Sequence, residues 1–279
     1  MDAATLPRPA AAGAPPRAGV VPAVELLSAE KVFANGVRGL DPIQLRVAGG
    51  EFVSLIGPSG CGKSTLLKLV AKLIEPSDGR ILWWRGGFEG VGQPGRRLAF
   101  VFQDPTLMPW SRVSTNVRLP LDFVGTPRAE AKQRVEAALA QVELGPYARH
   151  FPRQLSGGMR MRVSIARAMV TEPDLLLMDE PFGALDEFSR NRLDEDLARL
   201  SWERGLTTIF VTHSIYEAVF LSSRIVVMAA HPGRIFGEFR VDEPMPRTAE
   251  FRSSDRFAQA CRDLSAMLSD AALASRRTA

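Results

Sequence analysis

Residues Gly57, Pro58, Ser59, Gly60, Cys61, Gly62, Lys63 and Ser64, followed by Thr65, fit the spacing G-x-x-x-x-G-K-[ST], and no other feature constrains this chain as tightly. An apolar run over residues 51–56 leads into them, as expected where a buried strand meets a turn. Residues 65–74 follow with helical spacing, and Leu66, Leu67, Leu69, Val70 and Leu73 are expected to face the core. In such a strand–loop–helix the glycines let the chain wrap tightly, so successive backbone N–H groups point inward at phosphate oxygens. The positive end of the next helix adds to that field. Lys63 can reach the outer phosphates of a nucleoside triphosphate, and the Ser64 hydroxyl can hold Mg2+.

Other segments supply matching chemistry. Residues 175–178 are Leu-Leu-Leu-Met and run into Asp179 and Glu180. At the open end of a parallel sheet these acids would lie beside the phosphate loop. Asp179 suits Mg2+, usually through water, and Glu180 suits orienting or deprotonating an attacking water. A strand-like run over 207–212 ends at His213. On its own this is an ordinary surface histidine; only its place after a second core strand makes it a candidate γ-phosphate sensor. Gln103 follows residues 98–102 in the same way, and its neutral amide can bind water or Mg2+. Leu155-Ser156-Gly157-Gly158 precedes a helix, which makes it a second anion site. The two phosphate-binding surfaces are far apart in sequence. Two copies placed head to tail would bring each together with its counterpart in an isologous dimer sharing two nucleotides.

Strand-like runs at 24–33, 45–47, 51–56, 98–102, 175–178, 207–212 and 224–228 alternate with helical segments, which predicts a largely parallel sheet covered on both faces. The first is read as an edge strand. Residues 104–170 break the rhythm as a helical insertion, with helices over 128–143 and 163–170. Phe257, Cys261, Leu264 and Leu268 fall at helical spacing after candidate caps Ser253 and Ser254. The expected divisions are a disordered tail over 1–22, a main domain over 23–240 and a C-terminal helical extension over 241–279. The tail is rich in Ala and Pro and lacks the apolar run of a secretory signal. No window reaches the roughly 18 apolar residues of a spanning helix. A net charge of +4 permits contact with phosphates or an anionic membrane face without demanding nucleic acid. The two cysteines, Cys61 and Cys261, read as free thiols, and bound nucleotide is expected to shield Cys61 from alkylation.

In this order the motifs resemble those of ATP-binding cassette (ABC) transporter ATPases, over about residues 24–240. The resemblance implies a P-loop α/β fold with a mostly parallel core sheet, an N-terminal antiparallel part and a helical subdomain. It implies ATP and Mg2+ as ligands, with hydrolysis coupled to transport. Phe33 looks like the aromatic residue that stacks on adenine, and Gln103 like the link between γ-phosphate and membrane partner. Ser156 and Gly158 resemble the groups that close on ATP held by the other subunit, Asp186 the loop that crosses the dimer interface, Glu180 the general base and His213 the switch. Met159, Gly183 and Phe33 depart from residues common in the family; Phe33 keeps the ring of the usual Tyr without its hydroxyl.

Asp104-Pro-Thr-Leu-Met-Pro-Trp110 resembles the nitrate, sulfonate and taurine importer group, as do residues 155–160 and 211–219. That implies a homodimer on the cytoplasmic face of the membrane, two separate permease subunits and an external solute-binding protein; pyrimidine-type vitamin precursors are also carried in that group. Leu107, Met108 and Trp110 are the expected groove for a permease helix. A kinase would share the phosphate loop but lack Ser156-Gly157-Gly158. A nucleic-acid-handling relative would typically carry two cassettes or a long coiled coil, and neither fits here.

Overall fold

The computed structural model describes residues 21–84 and 95–276; most of the expected tail, residues 1–20, lies outside the described residues. The chain first lays down an antiparallel layer. β1 (Pro22–Val32) pairs with β2 (Arg38–Ala48), and after β3 (Phe52–Ile56) and α1 (Lys63–Val70) the chain returns as β4 (Asp78–Trp83) on the other side of β1. β1 is therefore the central strand of this sheet and not an edge, because both of its rows of backbone groups are paired.

The second sheet holds β3, β5 (Leu98–Val101), β6 (Leu175–Asp179), β7 (Thr207–Val211), β8 (Arg224–Ala229) and β9 (Arg234–Arg240), in the order β5-β6-β7-β3-β8-β9. All its pairings are parallel except β8–β9. Period-two alternation sends β3 side chains to two cores: Phe52 and Ile56 face one, Val53 and Leu55 the other. One core is completed by α1 and the antiparallel sheet. The other is completed by the remaining helices, which is why these strands read as continuous apolar runs.

Between β5 and β6 lie α2 (Val113–Phe123), α3 (Arg128–Gln141) and α4 (Gly157–Met169), the expected helical insertion. α5 (Glu187–Arg204) and α6 (Ile215–Leu221) follow β6 and β7, and α7 (Ala249–Arg252) and α8 (Asp255–Arg276) close the chain. Among the described residues no helix is long and apolar enough to cross a membrane.

Two details correct the sequence expectations. α1 ends at Val70, and Leu73 is half exposed; Lys72 takes a left-handed φ of 55°, which ends the helix and turns the chain toward β4. At α8, Ser254 alone caps: its Oγ accepts the Phe257 N–H at 3.2 Å, while the Ser253 hydroxyl donates back to the Glu250 carbonyl.

Candidate nucleotide site

β3 delivers the chain to the phosphate loop at Ile56. Gly57 has no room for a side chain, since a Cβ there would sit 2.5 Å from the Met228 carbonyl oxygen on β8 and 2.8 Å from Cys61 Sγ. Gly62 then caps α1 in the left-handed region. Lys63 is buried. Its ammonium donates to the carbonyls of Gly57 at 2.8 Å and Pro58 at 3.2 Å, so it lies across the loop whose phosphate it was expected to reach. The Ser64 hydroxyl donates to Asp179 Oδ1 at 2.9 Å, which joins the start of α1 to the end of β6.

Burial pushes the Asp179 carboxyl above its ordinary value; the neighbouring Glu180 charge adds to this, while the Ser64 hydrogen bond, Lys68 and Lys63 oppose it. A half-buried carboxylate beside a hydroxyl is a donor set suited to a hard cation, so Ser64 and Asp179 fit Mg2+. Glu180 takes a left-handed φ of 46°, and its N–H is held by the Val211 carbonyl at 2.9 Å. Its Oε2 lies 3.3 Å from His213 Nδ1 at the end of β7. A Cβ on Gly183 would lie 3.4 Å from His213 Cε1 and 3.9 Å from Gln103 Nε2, so the candidate sensor and the candidate Gln103 link converge on this turn.

A cleft of about 490 Å³ opens above the loop. Phe33, Val37, Arg38 and Gly39 line one part of it, Ser59, Gly60, Gly62, Lys63, Ser64, Thr65 and Glu180 the floor, and His231, Pro232 and Gly233 another part. The Phe33 ring lies against Gly39, where a Cβ would come within 2.6 Å of it. Of the expected site residues, Gly57, Pro58, Cys61, Gln103, Asp179 and His213 do not line this cleft. Arg38 and the His231 turn went unread in the sequence because they belong to no phosphate motif; the fold brings them in through the pairing of β2 with the chain beyond β8.

The second anion site is elsewhere. Ser156 caps α4, its Oγ accepting the Met159 N–H at 3.3 Å, and Gly157 and Gly158 pack near Leu185 and Ser189. Asp186 caps α5; the Ser189 N–H at 3.0 Å, with further hydrogen bonds, holds its carboxyl below the ordinary range. Ser156, Gly157, Gly158 and Asp186 do not line the cleft of their own chain. Behind the site, Arg190 donates to the Leu185 carbonyl at 2.9 Å and lies 3.5 Å from the buried Glu217, which bonds Thr212, next to His213.

Two expectations fail. Cys61 is fully buried, and burial raises its thiol pKa, so nucleotide has no exposed thiolate to shield. Of the expected groove, Leu107 packs against the main core and Met108 is half-buried, its backbone clamped by Asn116. Only Trp110 stands out, 76% exposed.

A glycine loop with a buried lysine, a strand-end carboxylate on its serine and a second acid facing a histidine define a P-loop nucleoside triphosphatase. The ABC transporter family profile matches residues 40–183. A taurine import ATP-binding protein of Rhizobium johnstonii is 42% identical over 85% of this chain and 91% of its own length. An aliphatic sulfonates import ATP-binding protein of Bacillus licheniformis is 43% identical over 78% of this chain and 85% of its own. A dimeric ATP-binding cassette solved in a post-hydrolysis state with ADP and phosphate superimposes with a TM-score of 0.68 at 32% identity, covering 78% of this chain and 98% of that one. The chain belongs to the ABC transporter family, as an ATPase whose hydrolysis of ATP is coupled to transport.

Proposed function

We propose that this chain is the ATPase subunit of an importer for a small sulfonate such as taurine or an alkylsulfonate, working as a head-to-tail homodimer. It acts on the cytoplasmic face of the membrane, with separate permease subunits and an extracytoplasmic solute-binding protein. The proposed ATPase domain spans residues 23–240, with residues 241–279 as its C-terminal extension. The single observation that carries the dimer is the cleft itself: it presents the phosphate loop and Glu180 but none of Ser156, Gly157 and Gly158. Those residues are exposed or half-exposed at the start of α4 and supply the second grip from the partner copy. Similarity to the taurine and aliphatic sulfonates import proteins supports the importer and its solute class.

In this reading the backbone N–H groups of the loop hold the phosphates, and Lys63 leaves its carbonyl partners for the β- and γ-phosphates. Ser64 and Asp179 hold Mg2+, which when bound neutralises charge on the phosphates. Phe33 stacks on the base. Glu180 orients and accepts a proton from water, with His213 fixing its carboxylate and reading the γ-phosphate. Gln103 and the exposed Trp110 carry the change to the permease. ATP favours the closed dimer because the γ-phosphate contacts exist only while that phosphate is present.

The test is reconstitution with the permease in liposomes. ATPase activity stimulated by taurine-loaded or alkylsulfonate-loaded binding protein is expected. No response to any sulfonate would overturn the solute class, and stimulation by DNA or RNA instead would overturn transport.

A further inference from the structure

The turn between β8 and β9 lies far from the phosphate loop in sequence, yet it is wedged against it. The Gly233 N–H donates to the Gly39 carbonyl at 3.3 Å, and the Gly233 carbonyl accepts the Asp41 N–H at 2.8 Å. A Cβ on Gly233 would come within 2.4 Å of the Cys61 carbonyl oxygen and 2.8 Å of that of Gly39. The turn thus fills the junction between the phosphate loop and β2, next to the Phe33 side of the cleft. Arg234 fastens it by donating to the carbonyls of Ala230 at 3.1 Å and Pro232 at 3.2 Å.

His231 sits at the head of this turn with a φ of 61°, a conformation that costs a non-glycine residue of order 1 kcal/mol. His231 is exposed and is one of the residues lining the cleft, and among the described residues its imidazole has no hydrogen-bond or ion-pair partner. The other basic group on that rim, Arg38, is already held by Glu30 at 3.1 Å and Asp41 at 3.6 Å. The phosphates belong to the loop below. What remains for His231 is the nucleoside, whose sugar hydroxyls and base edge match an imidazole that offers one donor and one acceptor.

We infer that His231 is a specificity residue of the ATP cleft, contacting the nucleoside part of the nucleotide from the side fixed by Gly233. This rests on the reading of the cleft as the ATP site, which Lys63→Met tests separately: that variant must lose ATP binding. His231→Gly removes the imidazole and relaxes the backbone, and His231→Asn keeps a polar group that tolerates the left-handed region. The readouts are KM and kcat for ATP, and the inhibition constant of inorganic tripolyphosphate, which carries no nucleoside. For His231→Gly, the loss of one hydrogen bond predicts a KM for ATP raised about three- to tenfold, with kcat unchanged. His231→Asn should fall between wild type and His231→Gly. The tripolyphosphate constant should not move in either variant. An unchanged KM in a folded His231→Gly overturns the inference. So does a parallel rise in the tripolyphosphate constant, which would place the effect in the phosphate loop.

Discussion

Glu180 and His213 face each other across the ends of adjacent parallel strands, with Oε2 and Nδ1 3.3 Å apart. The pairing sets a carboxylate at the edge of the cleft and steadies it from behind. Glu180→Gln should keep ATP binding and lower turnover by about 100-fold or more, the range of a positioned general base. Nucleotide binding and phosphate release measured on one preparation check this. Release at the wild-type rate would remove Glu180 from the role of base.

The fold was legible where burial was two-sided. The apolar runs that became β3, β6, β7 and β8 read directly, because helices or the second sheet cover both faces. β4 and β9 were missed: in β4 the exposed Asp78, Gly79 and Arg80 leave only a short apolar part over residues 81–83, and in β9 every residue is exposed or half-exposed and Gly237 and Glu238 interrupt the apolar positions. α2 was not delimited in the sequence because Pro120 lies inside it. The phosphate loop stood out by its local spacing and Glu180 by its place at the end of an apolar run, whereas His213 was a candidate only through its position after a second core strand. Arg38 and His231 were not legible, since only tertiary pairing brings them to the cleft.

Gly183 stands where Ser is common in the family, and the structure has room for one. A Cβ there meets His213 Cε1 at 3.4 Å and the Glu180 carbonyl oxygen at 3.5 Å, both ordinary contacts. Gly183→Ser should therefore change ATPase activity by no more than about twofold. A loss of tenfold or more, measured as steady-state phosphate release, would mean that the turn needs glycine.

Arg247 is buried, and among the described residues no carboxylate bonds its guanidinium, which donates to the carbonyls of Val219, Phe220 and Ser222 at the end of α6 and to those of Val241 and Glu243. Burial lowers its pKa to about 10, against a raising effect of Glu243. Arg247→Ala strips several carbonyls of their donor at once, and the expected loss is about 3 kcal/mol or more in urea unfolding. A loss under about 1 kcal/mol would show that water replaces the guanidinium.

Asp194 on α5 is fully buried, and burial, reinforced by Glu217 and opposed by Arg252 and Arg190, pushes its pKa up to about 8 from an ordinary 3.8. Between those values the folded chain holds a proton that the unfolded chain has lost, so this group's contribution to stability falls as pH rises from about 4 to about 8 and is flat above. Asp194→Asn should lack that slope. Urea midpoints of both proteins across this window check the sign. Parallel pH profiles would contradict it.

The shared site is tested most directly by mixing two inactive chains, Lys63→Met and Gly158→Asp, in the presence of the permease. If each nucleotide is gripped by the loop of one copy and the Ser156–Gly158 turn of the other, mixed dimers hold one intact site of two. Random pairing then restores about a quarter of wild-type ATPase activity. If the mixture is as inactive as either variant alone, the two grips belong to the same chain and the account of a shared nucleotide is wrong.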